Sequence, residues 1–256
     1  MRYDHADQTK NTGILNRDVI KYIAMFTMLL NHIANVFLEP GTALFTVLVD
    51  IGYFTAPVMC YFLAEGYHYT RSKKKYARRL AVFALISEFP FCLAFSEMFG
   101  GGDTIVFCGF NMIFTLLLCF CILLVMDYVE YRFLQIVLIA GLFILSAFSD
   151  WGVLAPLFTI LFARAREDKR KIRNAYLIGA GVFAITRFRP GDDLTAVPGG
   201  LGYAALSAVG ILAAGVVIVY LYNGKRMERG KTFSKWFFYW FYPVHLLALG
   251  LIRVMI

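Results

Sequence analysis

The chain has 256 residues, of which 60% are hydrophobic, 17% aromatic and only 16% charged, against ~25% charged in an ordinary soluble domain. This composition excludes a soluble globular enzyme. At ~20 apolar residues per bilayer-crossing helix, the length accommodates about nine crossings and no sizeable extramembrane domain. The formal net charge of +8 raises nucleic acid as a partner, but basic excess on a membrane chain reports topology, and its distribution decides between the two.

Residues 1–17 are polar and mixed in charge, with no apolar core leading to a small-residue cleavage site. They are expected to form a cytoplasmic N-terminal segment and not a removable signal peptide. Apolar runs follow at 18–38, 42–67, 80–98, 109–127, 132–148, 150–163, 174–187, 200–222 and 236–254. They predict an all-α polytopic membrane protein, a single domain over 18–256 built as a bundle of about nine transmembrane helices. The runs 150–163 and 174–187 are short for a crossing, so either they tilt or one is re-entrant. Cys60, Cys92, Cys108, Cys119 and Cys121 lie mostly within apolar runs and lack C-x-x-C spacing, which suggests neither a disulfide framework nor a zinc site. No internal repeat or low-complexity stretch is evident.

Orientation follows from Lys and Arg. One basic connection runs from Arg71 to Arg79, a second from Arg164 to Arg173 and a third from Lys225 to Lys235. An even number of predicted spans separates each pair, so all three fall on one side. The segment with Arg2, Lys10, Arg17 and Lys21 joins them. By the positive-inside rule that side is cytoplasmic, which puts the N-terminus inside and the C-terminus outside. The outer connections at 99–108 and 188–199 contain only Arg189. Topology accounts for the basic excess, and nucleic acid is not needed.

An ionisable group deep in a membrane helix costs ~2.5–3.5 kcal/mol on insertion scales and marks a functional or buried polar site by default. Lys21 and His32 are eleven residues apart, about three helical turns, which places them on one face ~16 Å apart along the axis. Lys21 also reads as a snorkelling anchor; a lone membrane His can simply hydrogen-bond within the bundle, but Asn31 beside His32 and a second His in the last span favour a functional role. Asp50 is predicted at a depth similar to that of His32, where a carboxylate would orient the imidazole and raise its basicity. A purely structural polar pair is the plainer reading. Glu88 is predicted ~12 Å into the third span from the cytoplasmic side. His245 sits mid-span beside Pro243, where it would either serve the site or cap carbonyls that the proline frees. Asn111 and Asp150-Trp151 read equally well as helix caps and an interfacial anchor.

One scheme fits this distribution. Arg78, Arg79 and Lys21 hold phosphates on the cytoplasmic side by charge-assisted hydrogen bonds, and His32 waits deeper, where a long donor arm such as that of coenzyme A presents a reactive carbonyl.

The stretches IKYIAMFTMLLNHIANV, AEGYHYTRSKKKYARRLAVFALISEFPF, FNMIFTLLL, SDWGVLAPL and KWFFYWFYPVHLLALGLIR resemble, in the same order, signature segments of the TraX family, across residues 14–254. The Gly-Tyr-x-x-Thr-Arg and Tyr-x-x-Arg-Leu block, which includes Tyr76, and the Phe-Tyr-x-x-Tyr-Pro-x-His-Leu block are the specific ones. That family is implicated in N-terminal acetylation of pilin and is grouped with the transmembrane acyltransferases, whose first helix carries a basic residue, ten intervening residues and a His. Here the pattern falls on Lys21 and His32.

The resemblance implies a multi-pass protein of the bacterial cytoplasmic membrane that uses acetyl-CoA as acyl donor. His32 would be its catalytic centre, with Asn31 and Asp50 beside it, and Lys21, Tyr76, Arg78, Arg79, Glu88 and His245 would belong to the donor site. Where many relatives have Asp-His, this chain has Asn31-His32, so the carboxylate that tunes the imidazole is expected from Asp50 or Glu88. The acceptor stays open between a peptide amine and a sugar hydroxyl or amine. Two other classes stay open: a proton- or ion-coupled transporter using His32, Asp50, Glu88 and His245 as a relay, and an assembly protein that needs none of these groups.

Overall fold

The computed structural model describes residues 13–101, 104–188 and 197–255. The chain is all-helical, and among the described residues only two isolated β-bridges, Leu15 with Tyr222 and Phe110 with Ser149, depart from that. The helices are α1 (Arg17–Phe37), α2 (Ala43–Gly52), α3 (Thr55–Tyr69), α4 (Lys73–Phe95), α5 (Met112–Tyr128), α6 (Arg132–Ser146), α7 (Leu154–Ala165), α8 (Lys169–Arg187), α9 (Val197–Ser207), α10 (Val209–Val216) and α11 (Lys231–Met255), with a π-helical turn at Val217–Leu221 continuing α10.

Local chemistry sets the starts of the helices. The Asn16 side chain accepts from the Asp18 and Val19 N–H groups at 3.1 and 3.0 Å, and Asn111 does the same for Ile113 and Phe114. Thr42, Ser72 and Asp168 cap α2, α4 and α8 in the same way. Each cap satisfies backbone donors that the first helical turn leaves unpaired.

Four helical stretches among the described residues are long and apolar enough to cross a membrane: Arg17–Phe37, Ala43–Tyr69, Gly199–Leu221 and Lys231–Met255. The other predicted crossings differ for physical reasons. Helices α5, α6 and α7 have 17, 15 and 12 residues, and twelve residues rise only ~18 Å. Helices α4 and α8 begin inside the basic runs, so charge is built into the helix itself. The run 42–67 is one hydropathic unit but two helices, interrupted at Tyr53-Phe54.

Large apolar side chains face outward along much of the surface. On α6 they include Phe133, Ile136, Val137 and Ile144, and on α4 Leu85 and Phe89. Such a continuous apolar exterior around a helical core suits lipid and not water, so the chain is a helical membrane protein.

The helix ends sort the charges. Asp18 accepts from the Met227 N–H at 2.9 Å and from the Ser234 hydroxyl at 2.7 Å, which ties the start of α1 to the segment before α11. Arg17 pairs with Glu65 at 3.4 Å, and the Tyr222 hydroxyl donates to Glu65 at 2.8 Å. Tyr69 donates to Glu167 at 2.7 Å, and Lys73 pairs with Asp127. The three basic connections therefore gather at one end of the bundle. At the opposite end Arg253 donates to the Leu93 carbonyl at 3.2 Å, and the 147–153 turn is held to Phe110. Of the residues used for orientation, Arg2, Lys10 and Arg189 lie outside the described residues, as does most of the 1–17 segment.

Candidate functional site

Among the described residues, several of the predicted site residues line two cavities, one toward each end of the bundle. The first, of about 420 Å³, is lined at the basic end by Arg17, Lys21, Arg71, Arg79, Arg226 and Lys235 against the single carboxylate of Asp18. Aromatic faces hold its cations in place. Lys21 Nζ lies 4.9 Å from the Phe238 ring centre and 5.6 Å from that of Phe62, and the Arg79 guanidinium lies 5.4 Å from Tyr76. Arg79 Nε is buried without a hydrogen-bond partner. An orphaned buried donor in a predominantly basic cavity is suited to an anion, because leaving it unsatisfied costs ~1–3 kcal/mol.

The second cavity, of about 1060 Å³, opens toward the other end and contains His32. Both it and the basic cavity include Met28, Thr55, Met112 and Tyr242 in their walls. These four residues form the partition between them. Thr55 is fixed by donating to the Ala24 carbonyl at 2.7 Å, and the Tyr242 hydroxyl accepts from the Met112 N–H at 3.2 Å.

His32 is buried, with 7% of its surface exposed, and its Nδ1 lies 2.8 Å from Nε2 of His245. His245 Nδ1 lies 2.7 Å from the Phe241 carbonyl oxygen. Pro243 lacks an N–H and so frees the carbonyl four residues back, that of Tyr239. His245 bonds a different carbonyl and faces His32, so capping the proline's carbonyl does not explain it.

The other predicted site residues divide. Lys21, Tyr76 and Arg79 line the basic cavity, but Arg78, its side chain exposed, does not. Asn31 lines the His32 cavity, where its Nδ2 donates to the Val49 carbonyl at 2.9 Å and its Oδ1 accepts from Asn35. It clamps α2 to α1 over Gly52, where a Cβ would collide with the Asn31 side chain. Asp50 faces Arg187 and Ser207, not His32. Glu88 accepts from Asn111 Nδ2 at 2.5 Å and from its backbone N–H at 3.3 Å, steadying the cap of α5. The carboxylates expected to orient His32 are thus engaged elsewhere, and a second imidazole stands in that place.

The His32 cavity also contains groups read from the sequence only as caps or anchors. Asp150 and Trp151 line it from the turn between α6 and α7, joined by Arg187 and Tyr203. Trp151 and Val153 have φ of 56° and 64°, a left-handed conformation unfavourable for a β-branched residue. The turn is held there by the Phe110–Ser149 bridge and by Ser146, whose hydroxyl accepts from the Val153 N–H at 3.1 Å. Trp151 stacks on Phe183 with ring centres 5.5 Å apart. Strain of this kind, maintained beside a cavity, is a mark of functional sites. The cysteines are free, and no group of three or more metal-ligating side chains occurs among the described residues.

A basic cavity and a histidine-bearing cavity, separated by a partition of four side chains, lie within one helical bundle, and the chain is a helical membrane protein with a polar interior. The chain belongs to the TraX family: the family described as TraX protein matches residues 16–253. It is similar to the probable fimbrial assembly protein FimC, serogroup H1, of Dichelobacter nodosus, with 30% identity over 237 residues that cover 90% of this chain and 92% of the relative. No solved structure matches.

Proposed function

We propose that this protein is an acyltransferase of the bacterial cytoplasmic membrane, crossing it about nine times with the basic end in the cytoplasm, and that it transfers an acetyl group from acetyl-CoA to a nucleophile admitted from the His32 end. The observation that carries the reading is the pair of cavities with a common partition. Their polarity matches the donor molecule, with phosphates at one end and a thioester at the end of a long thin arm. Arg79, Lys21, Arg17 and Arg226 line the cavity where phosphates would sit, and charge-assisted hydrogen bonds are the natural grip for them. The arm would pass between Met28, Thr55, Met112 and Tyr242 and set the thioester beside His32.

There the acceptor's lone pair attacks the thioester carbonyl carbon as His32 Nε2 takes the acceptor's proton. The C–S bond breaks, the electron pair leaves on sulfur, and the imidazolium returns its proton to the thiolate, giving acetylated acceptor and free coenzyme A. The work of the base is proton transfer within a closed, oriented site. The fimbrial assembly name of the relative favours a peptide amine as acceptor over a sugar hydroxyl or amine.

The test is direct. Purified protein in detergent, given radiolabelled acetyl-CoA with either a short peptide carrying a free amino terminus or glucosamine, is expected to release coenzyme A and label one of them. Absence of both acetyl-CoA binding and labelling of either acceptor would overturn the reading.

A further inference from the structure

We infer that His245 is a positioning residue that fixes the tautomer of His32, so that His32 presents an unprotonated Nε2 to its cavity; the inference rests on His32 being the base of the transfer. A carbonyl oxygen only accepts, so the nitrogen 2.7 Å from Phe241 O, His245 Nδ1, carries the hydrogen. In a neutral imidazole the other nitrogen is then a lone pair. That nitrogen, Nε2 of His245, faces His32 Nδ1 at 2.8 Å, so His32 Nδ1 must be the donor. The same rule applied once more leaves the lone pair of His32 on Nε2. The order is set from a backbone carbonyl through two rings to a single free base.

The geometry suits this chain of bonds. The ring centres of the two histidines are 5.0 Å apart and the planes differ by 10°. With the bonded nitrogens 2.8 Å apart, nearly all of that separation runs along the hydrogen bond, so the rings meet edge to edge in one plane. Phe241 lies over His245 with centres 4.7 Å apart and planes 19° from parallel, and Phe95 meets His32 edge-on at 5.3 Å. Both rings are held against rotation.

The opposite assignment needs both His245 nitrogens protonated. No carboxylate among the described residues is hydrogen-bonded to either ring, since Asp50 faces Arg187 and Ser207 and Glu88 bonds Asn111. A buried imidazolium without such a partner is disfavoured. His245 is not in the wall of the His32 cavity, so it acts through His32 and not on the substrates.

The experiment compares His245→Phe and His245→Gln in the intact protein, and reads the His32 nitrogens of the unmutated protein by ¹⁵N NMR. His245→Phe removes the acceptor and is expected to lower kcat about tenfold or more, with acetyl-CoA binding and KM unchanged. His245→Gln restores an oxygen that accepts from His32 Nδ1–H and is expected to recover most of the rate. The spectrum, taken without substrates, is expected to show His32 protonated at Nδ1 and bare at Nε2. Parental kcat in His245→Phe, or a His32 protonated at Nε2, overturns the inference. Should His245→Phe not fold, the Gln variant and the spectrum still decide. If the unmutated protein catalyses no transfer, the acyltransferase reading fails while the spectrum separately settles the tautomer.

Discussion

Replacing His32 with Ala is expected to lower acetyl transfer by ~10²–10⁴-fold, the usual contribution of general-base catalysis, while acetyl-CoA binds as before. Binding is expected to survive because the cations that line the basic cavity lie far from the imidazole: Lys21 and His32 are on one helix and ~16 Å apart along its axis. The packing cost is modest, since His32 borders a cavity and does not fill the centre of the core. Transfer rates and acetyl-CoA binding measured on the same purified variant check the prediction. A transporter predicts another outcome, loss of proton-linked flux with no acetylated product in any variant. The arrangement already speaks against a four-membered relay: of His32, Asp50, Glu88 and His245, only the two histidines are hydrogen-bonded to each other among the described residues.

The second large effect separates two adjacent arginines. Arg79→Ala is expected to weaken acetyl-CoA binding by about 10–100-fold, because a charge-assisted hydrogen bond contributes ~1.5–3 kcal/mol and each ~1.4 kcal/mol is tenfold in affinity. Arg78→Ala is expected to change it less than twofold. Arg79 lines the basic cavity with a buried, unpartnered Nε, whereas Arg78 points to the exterior. Titration of each variant with acetyl-CoA distinguishes them, and equal effects would mean that both residues act only through the general charge of this end.

Sequence alone groups Arg78 with Arg79 as phosphate ligands, and helix geometry separates them. Residues i, i+3 and i+7 share a helix face, and Tyr76, Arg79 and Phe83 follow that spacing into the bundle while Arg78 falls a third of a turn away. The gathering of basic segments at one end was legible in the sequence, because like charges in alternate connections of a helical bundle return to the same side. So was the common face of Lys21 and His32. The break at Tyr53-Phe54 was not, since hydropathy is blind to a turn buried in apolar residues.

The site's central contact was beyond any local pattern. His32 and His245 are 213 residues apart in the chain, and no periodicity connects α1 with α11. Depth alone favoured Asp50 as the partner of His32, but depth leaves rotation about the helix axis free, and that rotation turns Asp50 toward Arg187. The left-handed turn carrying Asp150 and Trp151 left no trace either, because Trp and Val are not residues that mark positive φ.

The proposed meeting of donor and acceptor from opposite ends of one bundle is tested in sided vesicles. Protein reconstituted in one orientation, with that orientation fixed by protease accessibility of the basic connections, is given radiolabelled acetyl-CoA on the face carrying Arg71, Arg79 and Arg226 and an amine-bearing peptide on the other face. Label is expected in the peptide in this arrangement and to be absent when the two compartments are exchanged. Labelling only when both reactants share one face would show that they do not meet from opposite ends.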